Sequence, residues 1–219
     1  VVQSPSRHDP AHVQLLAERD DVGLQPQLLV LDEVQTGVGL TGSRWCYEQL
    51  GLQPDIVAFG KKLHVGGIMA GGRLDDVEGH ALVTSGRLNS TFGGNLADMV
   101  RATRIMEVME QDKLDTRAAT LGGQLLGILH DLAGTYPRTV SNVRGRGLMC
   151  ALDLPDTQLR DLVRQRLFTK ERVMMLGCGE RSLRFRPPLT IEPDELRLGV
   201  DALARVLDGV GAGRGGADR

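Results

Sequence analysis

The sequence predicts an α/β fold: a partial domain built on a mostly parallel sheet, followed by a smaller C-terminal α+β unit. Three observations carry this. First, two short uninterrupted apolar runs, Leu28–Leu31 and Ile56–Phe59, are separated by a glycine-rich turn and a short helical segment; continuous apolar runs suit parallel strands covered on both faces. Second, from Asn95 onward the apolar spacing changes from strand-like runs to a helical stripe. Third, after a turn-rich stretch at 134–142, short apolar segments alternate with amphipathic ones.

Each element follows in order. Residues 10–21 read as a helix with Val13, Leu16 and Ala17 on one face. QLLVLDEV (27–34) is the first strand, QTGVGLTG a glycine-rich turn, and 43–50 a short helix. PDIVAF carries the second strand and GIMAGG the third. Asn95 caps a helix whose stripe is Leu96, Met99, Val100, Ile105, Val108 and Met109. A second helix covers 115–133. In the C-terminal unit, GLMCALDL (147–154), RVMML (172–176) and RSLRFRPPL (181–189) read as strands. A helix at 157–168 turns Leu159, Leu162, Val163 and Leu167 inward, and a last helix starts near Pro193, with Leu196, Val200, Leu203 and Leu207 on its inner face. This divides the chain into a first domain with linker helices (1–134), a small C-terminal domain (135–210) and a disordered tail (211–219).

Composition removes several functions. The net charge is −2 and aromatics are 3% of residues, which speaks against nucleic-acid binding by charge or by base stacking. Cys46, Cys150 and Cys178 are far apart and lack metal-ligand spacing; they read as reduced thiols in the cytoplasm, with no metal site. No apolar run approaches the roughly 20 residues a membrane span needs. The chain starts without Met or a signal pattern and reads as the interior of a longer protein.

Chemistry concentrates at two strand ends. Asp32 closes the first apolar run, and Lys61, with Lys62 beside it, follows the second. In open α/β sheets ligands bind at this edge. A carboxylate and an amine meeting there suit pyridoxal phosphate, which joins a lysine and needs an acid partner for its ring nitrogen.

Further residues carry a resemblance. LDEVQTGVGLTG, PDIVAFGKK, NSTFGGN, RGRGL and RFRPPL, in this order, resemble the class III pyridoxal-phosphate aminotransferases of fold type I, over about residues 25–207. The combination looks most like the lysine ε-aminotransferase branch of that family. The resemblance implies the partial large domain and small domain of that fold, and a homodimer. It implies Lys61 as the Schiff-base lysine, Asp32 as partner of the pyridinium nitrogen, Val34 against the ring face and Gln35 toward the ring's phenolic oxygen. Ser90 and Thr91 are similar to a phosphate contact supplied to the other subunit. Arg184 matches the arginine that grips a substrate carboxylate, a role suited to its bidentate fork; Arg186 lies two positions along and is the alternative. Lys62, His64 and Trp45 are read as structural, and RGRGL as a turn with solvated arginines. The implied reaction moves the terminal amino group of L-lysine to 2-oxoglutarate. The family's N-terminal half has no counterpart here, and residues 1–9 match its upstream segment poorly. A non-catalytic remnant, an ornithine- or 4-aminobutyrate-type enzyme and an aminomutase are the alternatives.

Overall fold

The computed structural model describes residues 28–84, 86–87 and 93–214, the side chains of 211–214 excepted. The helix expected at 10–21, Ser90 and Thr91 lie outside these residues.

Among the described residues, two sheets organise the fold. In the first, β1 (Val30–Asp32) pairs in parallel with β2 (Ile56–Phe59), and β3 (Gly67–Ala70) pairs antiparallel on the far side of β2. Asp55, buried just before β2, accepts a 2.7 Å hydrogen bond from the Leu29 N–H and is paired with Arg73 at 3.2 Å. That carboxylate fixes where β1 starts relative to β2. β1 is shorter than the sequence suggests, and its apolar run is not covered on both faces. Leu28 is 40% and Val30 59% exposed, because β1 has only β2 as a described neighbour.

The helix α1 (Leu96–Gln111) begins where expected, with the Asn95 side chain accepting from the Ala97 N–H at 2.9 Å. Its stripe divides. Met109 and Ala102 are buried near Val38, Leu63 and Leu114, whereas Leu96, Met99 and Val100 face solvent. The helix α2 (Leu114–Thr135) turns Ala118, Leu121, Leu125, Leu129 and Leu132 into the core of the second sheet.

That second sheet has the order β4-β5-β7-β6, antiparallel throughout. Its strands are β4 (Ser141–Arg146), β5 (Met149–Asp153), β6 (Leu176–Cys178) and β7 (Ser182–Phe185). The strand expected at 172–176 forms only from Leu176 onward, and β4 occupies residues read as turn. Helix α3 (Thr157–Arg166) buries Leu159 and Val163 but leaves Leu162 exposed. Helix α4 starts at Pro193, buries Leu196, Val200, Leu203 and Leu207, and continues to Arg214, past the expected start of the tail.

RGRGL spans the end of β4 and the Gly147–Leu148 turn into β5, and both of its arginines have partners, Arg146 donating to Gln49 Oε1 at 3.2 Å. Arg144 donates to Asp153 at 2.8 Å and to the Ser182 hydroxyl at 2.9 Å. Burial alone would raise the Asp153 pKa; hydrogen bonds from Ser182, Asn142 and Arg144, with the Arg144 charge, outweigh it and hold the carboxyl below its ordinary value. Gly147 has φ +52 and is closely packed on two sides. A Cβ on Gly122 of α2 would run into its backbone, while its own Cβ would run into Leu40 and Thr41 of the β1 loop. The Leu148 N–H donates to the Leu40 carbonyl at 2.9 Å. The turn thus joins the small sheet to the loop that follows Asp32.

Candidate active site

The β1–β2 register places Asp32 opposite Ala58, and Lys61 follows three residues later, so both lie at the C-terminal edge of two paired parallel strands. Both side chains are exposed. Asp32 Oδ1 accepts a 2.9 Å hydrogen bond from the Val34 N–H, which turns the chain sharply out of β1. Val34 lies against Gly60, the residue before Lys61, where a Cβ would come 3.6 Å from Val34 Cγ1.

The next residues are tied across the molecule. The Gln35 side-chain oxygen accepts from Arg184 Nη1 of β7 at 3.1 Å, and its carbonyl accepts from Lys62 Nζ at 2.8 Å. Lys62 Nζ also donates to the Gly37 carbonyl at 2.9 Å. Burial, followed by the charges of Arg186 and Lys61, lowers the Lys62 pKa from its usual 10.5 to about 8, against an upward pull from Glu33. Arg184 Nε is buried without a partner among the described residues, which leaves a donor open to an acceptor from outside them.

Beneath this layer, buried Glu33 accepts from Thr36 Oγ1 and, at 2.8 Å, from the Tyr47 N–H. Trp45 covers Gly37 and meets the Phe59 ring with centroids 6.2 Å apart. Among the sequence candidates, Asp32, Lys61, Val34, Gln35 and Arg184 come together, while Arg186 lines a cavity of about 210 Å³ together with Lys62. Lys62, read as structural, ties the turn after β2 to the loop after β1, and Glu33 is the residue to which the sequence reading gave no role. The signal for Glu33 was its place in DEVQTG, directly after the Asp32 that ends an apolar run. Among the described residues no His, Cys, Asp and Glu cluster could hold a metal, and no helix is long and apolar enough to cross a membrane.

A family model for class III aminotransferases matches residues 11–207. The chain belongs to the class III aminotransferase family. It is 55% identical over 180 residues to the L-lysine-epsilon aminotransferase of Amycolatopsis lactamdurans, covering 82% of this chain and 40% of that protein. The L-lysine-epsilon aminotransferase of Streptomyces clavuligerus is 52% identical over 183 residues, covering 84% of this chain and 40% of that protein. The structure of the lysine aminotransferase from M. tuberculosis in its internal aldimine form superimposes with a TM-score of 0.81 at 46% identity, covering 91% of this chain and 45% of that one. The ornithine aminotransferase of Toxoplasma gondii gives 0.72 at 30% identity, covering 84% and 44%. The chain therefore spans less than half the length of these class III relatives. Its fold is that of the fold type I aminotransferases.

Class III aminotransferases use pyridoxal phosphate, and the residues present fit it. An exposed amine and an exposed carboxylate stand at adjoining strand ends, Gly60 leaves space beside Val34, and the orphaned Arg184 N–H can receive an anion.

Proposed function

We propose that the protein carrying this chain is a pyridoxal-phosphate-dependent L-lysine 6-transaminase. It moves the terminal amino group of L-lysine to 2-oxoglutarate, giving 2-aminoadipate 6-semialdehyde and glutamate. The observation that carries the reaction class is the placement of Asp32 and Lys61 on the shared edge of paired parallel strands. The choice of donor rests on similarity to enzymes named for lysine.

When bound, pyridoxal phosphate supplies an aldehyde to carry the amino group and a ring that withdraws electrons. Lys61 would hold that aldehyde carbon through Nζ and, when displaced by substrate, carry a proton to and from the reacting carbon. Asp32 would keep the proton on the ring nitrogen. Its Oδ1 is already engaged by the Val34 N–H, which fixes the carboxylate's direction. Val34 would pack on the ring face. Gln35 would serve the phenolic oxygen, after turning from Arg184. Arg184 would grip a substrate carboxylate, with Nε and Nη presented as a fork. Ser90 and Thr91 would reach the phosphate of a second subunit in a homodimer. The three free cysteines suit a cytoplasmic enzyme.

The test uses the full-length protein loaded with pyridoxal phosphate. Borohydride reduction and peptide mapping should put the label on Lys61, and L-lysine with 2-oxoglutarate should yield glutamate. A label on Lys62 overturns the site. Glutamate from ornithine or 4-aminobutyrate in place of lysine overturns the donor, and turnover of lysine without glutamate favours an aminomutase.

A further inference from the structure

Lys62 is the residue of the strand-end pair that the proposed chemistry leaves unused, and its surroundings are unlike those of a solvated strand end. The chain leaves β2 through Gly60 into a single tight turn, Lys61–Leu63, closed by His64 at φ +58. Lys61 itself sits at φ +51, a left-handed conformation uncommon for a residue with a Cβ. The two residues after it are both anchored. Leu63 is buried in the apolar cluster of Val38, Ala102, Met109 and Leu114. Lys62 crosses to the loop after β1, where Nζ donates to the carbonyls of Gln35 and Gly37 at 2.8 and 2.9 Å. With Leu63 and Lys62 both anchored, Lys61 is left exposed at the edge beside Asp32.

The two carbonyls belong to the loop that also bears Val34 and Gln35. One ammonium therefore spans the turn holding the reactive amine and the loop holding the ring-facing side chains. Lysine is well suited to such a bridge, because a compact head with several donors on a long stem can satisfy two converging carbonyls. We propose that Lys62 is a positioning residue that sets the distance and direction of the Lys61 amine relative to the Asp32–Gln35 loop, and so the affinity with which pyridoxal phosphate is held. This rests on the reading of Lys61 as the cofactor lysine.

The experiment compares Lys62→Met, which keeps the stem and removes the donors, with Lys62→Arg, which keeps donors, in the full-length protein. Hydrogen exchange is read on peptides spanning 33–39 and 60–65. Pyridoxal-phosphate affinity and the site of the borohydride-fixed label are read separately. In Lys62→Met, exchange should rise in both segments together. Cofactor binding should weaken by about tenfold or more, by analogy with the loss of an outer-shell partner in metal sites. Lys62→Arg should recover part of both effects. Should Lys62→Met fail to fold, Lys62→Leu, which also removes the donors from an apolar stem, carries the same comparison. Unchanged exchange in the two segments, or parent-like cofactor affinity with full labelling at Lys61, overturns the positioning role alone. A parent protein labelled elsewhere than Lys61 overturns the functional reading and the positioning role with it.

Discussion

Asp32 has two roles that a single substitution separates. As a turn residue it needs only an acceptor for the Val34 N–H. As the partner of a protonated ring nitrogen it needs a negative charge. Asn supplies the first and not the second. Asp32→Asn in the full-length protein should therefore leave thermal stability and cofactor content near the parent's, while lysine turnover falls roughly a hundred- to a thousandfold, the scale for losing one preorganised electrostatic partner. Turnover close to the parent's would mean that the charge of Asp32 is not used. Lys62 permits a different test at this scale. Its pKa falls from the usual 10.5 to about 8 through burial and the nearby Arg186 and Lys61 charges. Between those values the unfolded chain holds the proton more tightly than the folded one, so stability contributed by this site rises with pH across that window. Below it both states are protonated and the contribution is flat. The neutral amine still has two hydrogens for its two carbonyls. The urea midpoint of the parent should therefore climb from about pH 8 upward relative to that of Lys62→Met; parallel curves would show that the ammonium is not strained by its site.

Elements were legible where local signals agree with packing. The runs ending in Asp32 and Phe59 pair as parallel strands, Asn95 caps its helix, and Pro193 opens the last one. They were illegible where a distant partner decides. β4 reads SNVRGR, with no apolar alternation, and its polar side chains are satisfied across the sheet by Asp153 and Ser182. Periodicity located the apolar face of α1, but it does not say how much of that face is covered, and Leu96, Met99 and Val100 are exposed among the described residues. The same holds for glycines, which look alike in sequence. In α2, Gly122 meets the Gly147 backbone, whereas Gly123 and Gly127 have open space. Gly123→Ala and Gly127→Ala should each stabilise by up to about 1 kcal/mol, since Ala is the better helix former. Gly122→Ala should destabilise by about 1–3 kcal/mol, because the added methyl forces helix and turn apart. Denaturant midpoints decide this; equal shifts at the three positions would show that α2 does not approach the turn so closely.

Across the whole molecule, the second sheet and the first differ in how fully they are enclosed. Leu148, Leu152, Leu154, Val163, Leu183 and Leu203 are almost wholly buried between the second sheet and its helices. Around the first sheet, Leu28, Val30 and Ile68 are exposed, and so is the N-terminal half of α1, with Leu96 at 81%. The matched part of the chain covers 40% of the length of the L-lysine-epsilon aminotransferases of Amycolatopsis lactamdurans and Streptomyces clavuligerus. A polypeptide of these 219 residues alone should therefore behave as two halves of unequal stability. It should bind a hydrophobic dye strongly, and exchange should be fast at 28–36 and 93–101 but slow in α2, β5 and α4. Added pyridoxal phosphate should attach to Lys61 only weakly, because Lys61 and Asp32 are both exposed and water competes at each contact. Lysine and 2-oxoglutarate should then give no glutamate. Each apolar side chain left in water forgoes about 25 cal/mol for every Å² it could have buried, and a fold with a margin of only about 5–15 kcal/mol has little to spare for such losses. Glutamate formation by this polypeptide, or exchange at β1 as slow as at β5, would show that these 219 residues complete the site unaided.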